Sequence, residues 1–270
     1  MRLLLSFLIA ASASASDPIT GEPVRLKVLS AIFPEMEIER VDRRINSAWR
    51  LDTTPQLAFP DALAFAQAYR VTGAPQDDRE RCAAQDLVKR TSSRDRELRF
   101  RLYPWPGAWR GELLAIVQYR FMGAVPPSDC PSLAELFRMR PEGHEWKIAD
   151  RFPLAAGRHN HIEGVQFVHL TGEPEEELAI ESDSGDGVEF RSDLHILMLA
   201  HGRFQELLNV PSRLHVKGLG DQWTQTLDQA RTAEKRGQEF CFEKTVWAAA
   251  HRRFLAPEVT HPCYPLGKRE

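Results

Sequence analysis

The chain is short of nearly every signature that names a chemistry. Its 270 residues hold no G-x-S-x-G elbow, no P-loop and no dinucleotide fingerprint, so the usual signals of α/β-hydrolases, NTPases and Rossmann enzymes are missing. No charge of one sign dominates: 35 Lys and Arg against 38 Asp and Glu leave a formal net charge of −3. That balance excludes the basic face that nucleic-acid binding requires. Arg94, Arg96, Arg99 and Arg101 do cluster, but Asp95 and Glu97 interrupt them, as on a solvated strand face. There is no apolar run of the roughly 20 residues that a bilayer-spanning helix needs. Cysteine is scarce, at four, and no C-x-x-C pair occurs, which argues against zinc ribbons and thioredoxin-like redox chemistry.

What is present begins at the N-terminus. Arg2 precedes the short apolar run Leu3–Ala11, and Ala13 and Ala15 then supply an A-x-A site. This pattern predicts a signal peptide over residues 1–15 and a mature chain starting near Ser16, periplasmic or secreted, with no transmembrane segment. An even number of cysteines outside the cytosol predicts disulfides. Cys241 and Cys263 are the favoured pair, because Pro257 and Pro262 can turn the short segment between them. Cys82 with Cys130 follows by elimination. A closed loop of the first kind stabilises by about 3 kcal/mol in the chain-entropy model.

The remaining chain divides into a helical or mixed cap over 16–94 and a β-rich domain over 95–270. In the cap, Val24–Phe33 reads as a short helix stopped by Pro34, and Asp77–Arg90 as a second helix with acidic residues leading and basic ones closing. Phe59–Val71 is open between helix and strand, with strand preferred because Gly73 and Pro75 end it abruptly. From Arg96 onward apolar and polar residues alternate with period two, as half-buried antiparallel strands require. Four such segments recur in the same order over about 96–152 and about 163–210. The first copy has Leu98–Leu102, Glu112–Tyr119, Leu133–Met139 and Trp146–Asp150. The second has Val165–Leu170, Glu177–Ser182, Leu194–Ala200 and Phe204–Leu208, and a third, partial element follows with Gln222–Leu227, Gln238–Ala248 and the Arg253–Phe254 region before the Cys263 tail. A four-stranded meander cannot bury its apolar face alone, whereas two can cover each other. The expected fold is therefore mainly β (α+β overall). Two antiparallel four-stranded meander units form a sandwich or partial propeller, with a small N-terminal helical part and a C-terminal hairpin.

The stretch Val168-His-Leu-Thr-Gly-Glu-Pro-Glu-Glu-Glu-Leu-Ala-Ile180 resembles the strand–acidic turn–strand unit of FG-GAP/VCBS-type propeller repeats. That resemblance implies a β-propeller of extracellular adhesion proteins, with calcium at the turn. In this chain His169 and Thr171 stand where two of the ligands belong, Pro174 replaces the turn glycine, and Glu173 and Glu177 keep carboxylates. Phe240–Lys244 and Pro262–Pro265 resemble the ending of some uncharacterised exported bacterial proteins.

Three groups of residues could carry chemistry or binding. His159 and His161 would point the same way on an extended segment, a spacing that suits two metal ligands, with Asp183, Asp186 and Glu189 nearby to complete a zinc-type site. The same three acids lie in the loop Ser182–Glu189, which could hold calcium or be an ordinary Asp/Gly turn. Trp105 and Trp109, in a Pro-rich loop, either form a stacking platform or cover the open end of a sheet. His195 reads as a core histidine needing one hydrogen bond, and Glu175–Glu177 as a solvated charge run. The resulting expectation is an exported, non-enzymatic binding or structural protein of the cell envelope. Its partner would be an envelope polysaccharide or protein, met through the loops Tyr103–Trp109 and Ser182–Glu189, and it needs no cofactor. The alternative is a metal-dependent hydrolase built on His159 and His161.

Overall fold

The structure, a computed structural model, describes residues 22–34, 96–106, 109, 111–121, 132–157, 161–171, 177–185, 188–216, 220, 222–235, 238–250 and 253–265. Cys82, Cys130, His159 and Asp186, and the elements expected at Phe59–Val71 and Asp77–Arg90, lie outside them.

The first meander is a four-stranded antiparallel sheet: β1 (Arg96–Pro104), β2 (Leu113–Phe121), β3 (Ser132–Glu142) and β4 (Glu145–Gly157). The second begins with β5 (His161–Val168), β6 (Glu177–Gly185), β7 (Glu189–Ala200) and β8 (Arg203–Val216). Six of the eight contain the whole segment picked out by the repeated alternation; β2 starts one residue after its segment does, and β5 ends two residues before its own. The second sheet does not stop at four strands. β8 is long enough for Arg213 and Leu214 to pair with β9 (Gln222–Leu227), and β10 (Glu239–Trp247) follows it. A two-stranded ribbon comes next, β11 (Ala249–Ala250) with β12 (Arg253–Phe254). Then β13 (Glu258–Thr260) and β14 (Cys263–Pro265) both pair with β10, one beyond the other. The sheet curls as it lengthens, giving half a barrel.

Alternation explains the layers. Leu114 and Ile116 of β2, with Leu136 of β3 and Leu154 of β4, meet Leu178 and Ile180 of β6 and Leu197 and Leu199 of β7 in one cluster between the sheets. β2 is buried on its other face as well, through Leu113, Ala115 and Val117. On that side α1 (Glu22–Ile32) lies against β4 and reaches β1, where Arg25 Nη2 donates to Phe100 O at 3.2 Å. Val28, Leu29 and Ile32 form its buried stripe, and Phe33 N donates back to Leu29 O at 2.8 Å before Pro34, which cannot continue a helix. The second sheet also has two buried faces, because its curl encloses Ile196, Leu207, Leu208, Val210, Phe240 and Phe242.

Two connections fix the register. β7 and β8 are joined by His201 and Gly202, with φ of 51° and 79°, the two positive values that a type I′ hairpin turn needs. A Cβ on Gly202 would stand 2.7 Å from Arg138 Nη1, so a close approach also requires glycine there. At the other end of the sheet Cys241 and Cys263 are direct cross-strand partners and form the expected disulfide. The short helix α2 (Gln229–Glu234) is capped by Asp228, whose side chain accepts from Arg231 N. Its buried Thr232 accepts the Cys241 amide hydrogen at 3.0 Å, tying the helix to β10. Among the described residues no helix is long and apolar enough to cross a membrane.

Candidate functional site

The Trp loop turns inward. Trp105 is 3% exposed, with its ring 5.5 Å from Phe167 and 5.8 Å from Phe204, so it fills the space between the sheets and offers no face to a ligand. The platform expectation is corrected at this residue for a simple reason: a gap between sheets favours a large ring. Trp109 is half-buried beneath Arg138, whose guanidinium carbon lies 3.9 Å from the ring centre. Arg138 also makes a two-pronged contact with Glu112, at 2.5 and 2.9 Å, and donates to Gly202 O. One cation thus rivets β3 of the first sheet to the β7–β8 turn of the second.

The acidic loop joins β6 to β7. Asp183 accepts from Ser192 Oγ at 2.5 Å, and its two oxygens accept from Arg213 Nη2 at 3.2 and 3.1 Å. Its charge is therefore matched by a guanidinium, and the contacts tie β6, β7 and β8 together at the base of the hairpin. Glu189 is exposed at the start of β7, flanked by exposed Val188 and Phe190. At the turn after β5, Glu177 is buried and accepts from Leu170 N at 2.8 Å, from Thr171 N at 3.0 Å and from Thr171 Oγ1. That carboxylate caps backbone amides instead of joining a solvated charge run.

The histidines are spread along the second sheet. His161 opens β5 in register with Asp183. His201 sits in the β7–β8 turn, while His215 lies at the other end of that hairpin, 6.5 Å from the Phe190 ring and exposed. Among the described residues one group of metal-ligating types lies within 4.8 Å, Glu239 with Cys241 and Cys263. Its sulfurs are bonded to each other, which leaves no thiolate to offer.

His195 is different. It is 1% exposed on β7, on the face turned toward the first sheet. Nδ1 lies 2.8 Å from Glu206 Oε1 of β8, and Nε2 lies 3.4 Å from Ser182 Oγ of β6. Three adjacent strands thus supply a hydroxyl, an imidazole and a carboxylate in line. Ser182 and His195 lie in diagonal register, since Ser182 pairs with Asp193 and Ile180 with His195. The His–Gly turn sets Glu206 opposite Leu197, diagonal to His195 on the same face. A bulge at Leu207 then sends both Leu207 and Leu208 into the curl and brings Asn209 beside His195. Glu206 drew no notice in the sequence, although counting outward from the turn reaches it. The turn was the available signal.

No protein-family model matches the chain, and no curated protein or solved structure matches it either. The class is therefore defined by the architecture itself: among the described residues, an antiparallel β protein with two main sheets, the second of which curls and carries a disulfide-bonded tail.

Proposed function

We propose that this chain is an exported binding or structural protein of the cell envelope, meeting an envelope polysaccharide or protein through the tip of the β6–β7 hairpin. The observation that carries this reading is the contrast between a rigid base and an apolar tip. Asp183, Ser192 and Arg213 lock the two strands together, while Phe190 keeps 46% of its surface and Val188 59%. An aromatic ring held outward on a rigid element suits stacking on a sugar or packing on an apolar side chain. Arg191 and Glu189, exposed beside it, add polar contacts at the rim. The leader-like N-terminus and the Cys241–Cys263 disulfide support a location outside the reducing cytosol.

The test is co-sedimentation of purified protein with isolated envelope polysaccharide, and cross-linking to envelope proteins, for the unaltered chain and for Phe190→Ser. The variant should keep its melting temperature and lose binding about tenfold or more, since truncating an anchor aromatic costs an interface about 1–2 kcal/mol or more. Equal binding by both proteins would remove the hairpin tip from the reading.

A further inference from the structure

We propose that Ser182, His195 and Glu206 form an acyl-transfer site for small esters, an activity beyond the binding role above. A carboxylate only accepts hydrogen bonds, so the 2.8 Å contact with Glu206 places the hydrogen on His195 Nδ1. Nε2 then presents its lone pair to Ser182 Oγ at 3.4 Å. Nucleophile, base and orienting acid stand in the order that serine catalysis requires. A somewhat long nucleophile–base contact is usual before substrate binds. All three side chains rise from neighbouring strands of one sheet, so the ladder sets their spacing and not a loop. Ser182 is 4% exposed and His195 1%, so both stand apart from bulk solvent, while the Glu206 side chain keeps 35% and links the relay to it.

The opposing sheet carries two buried polar side chains, Arg101 and Gln118. Arg101 Nη1 reaches Ile162 O at 3.5 Å, and Ile162 is the strand partner of Ser182. Gln118 lies diagonally from Arg101 on the same face of the first sheet. It is 1% exposed, and among the described residues neither its carboxamide nitrogen nor its oxygen has a hydrogen-bond partner. A buried amide without a partner calls for a reason. Stabilising the oxyanion of an acyl-transfer intermediate provides one.

In the reaction Ser182 Oγ bonds to the ester carbonyl carbon while its proton passes to His195 Nε2. The carbon–oxygen bond to the alcohol then breaks, and His195 protonates the departing oxygen. Water next attacks the acyl-serine, gives its proton to His195, and the acid leaves as Ser182 regains its hydrogen. With Ser182 4% and His195 1% exposed, the substrate proposed is the shortest acyl group, acetyl.

The test uses the full chain with its disulfide intact and p-nitrophenyl acetate as probe. It follows nitrophenolate release, maps acetyl groups by mass after acid quench, and records thermal unfolding of every variant. The unaltered protein should carry acetyl on Ser182 and turn over about 10²-fold or more faster than Ser182→Ala, in line with an activated nucleophile and its base. Gln118→Leu should lower the rate by about 10²–10³, as loss of an oxyanion donor does. Glu206→Gln sits at a part-exposed position where the fold tolerates change, and it should lower the rate and alter the pH profile. Acetyl on surface lysines with none on Ser182 would overturn the assignment. So would equal rates in the unaltered protein and Glu206→Gln at matching melting temperatures.

Discussion

Glu142 and Lys147 meet at 2.6 Å across the β3–β4 hairpin, both well exposed. The hydrogen bond from Lys147, then its charge, holds the Glu142 carboxyl below its ordinary range; burial opposes weakly, and Arg140 adds a smaller pull in the same direction. The same hydrogen bond and the Glu142 charge raise Lys147. A depressed carboxyl contributes stability above its unfolded value and loses it as pH falls through the folded one. A raised lysine contributes fully below its unfolded value and loses its share as pH rises through the folded one. In a carboxyl-detected NMR titration, Lys147→Ala should move the Glu142 midpoint upward; an unmoved midpoint means that the pair does not form in solution. At this scale the sequence reveals residue types better than their surroundings. Glu177 reads as one acid in a run of three, yet it is 1% exposed with three donors around it. Period-two patterning shows which residues share a face, but not which face a chain reversal will cover.

Strands and hairpins were the legible elements, because alternation and turn chemistry are local. Leu194–Ala200 and Phe204–Leu208 announce β7 and β8, and His201–Gly202 announces the connection. Bulges were not legible, since one inserted residue leaves composition and most of the alternation unchanged. The register shift at Leu207 decides that Asn209, and not Leu208, stands beside His195. The turn itself is open to test. Gly202→Ala places a Cβ in a left-handed backbone and against Arg138 Nη1. It should cost about 1–2 kcal/mol from backbone strain alone, with the Arg138 displacement on top. Urea unfolding should show a lower midpoint at an unchanged slope, and an unaltered midpoint would mean that the turn relaxes freely.

Across the whole molecule, the pairing of two like meanders was readable because neither can bury its own apolar face. The strands β9, β10 and β12 were readable too, at Gln222–Leu227, Gln238–Ala248 and Arg253–Phe254, but not that β9 and β10 extend the second sheet, since its curl comes from their mutual packing. The cross-sheet contacts were equally hidden. Arg138 to Gly202 and Asp150 to the Phe204 amide, at 2.6 Å, join residues more than fifty positions apart. The disulfide tests how much the tail matters. Replacing Cys241 and Cys263 together with serine should lower stability by about 3 kcal/mol, because the loop between them regains its freedom in the unfolded chain. Differential scanning of the oxidised protein and the double variant measures it, and equal stability would show that β13 and β14 hold without the bond.

That bond also decides how a pull would travel. Tension entering through residues beyond Cys263 crosses the sulfur bridge straight into β10 and skips the intervening segment, since the joined cysteines are 22 positions apart. The ribbon and β13 would stay slack under load, and a covalent link, not the three strand partners of β14, would bear the force.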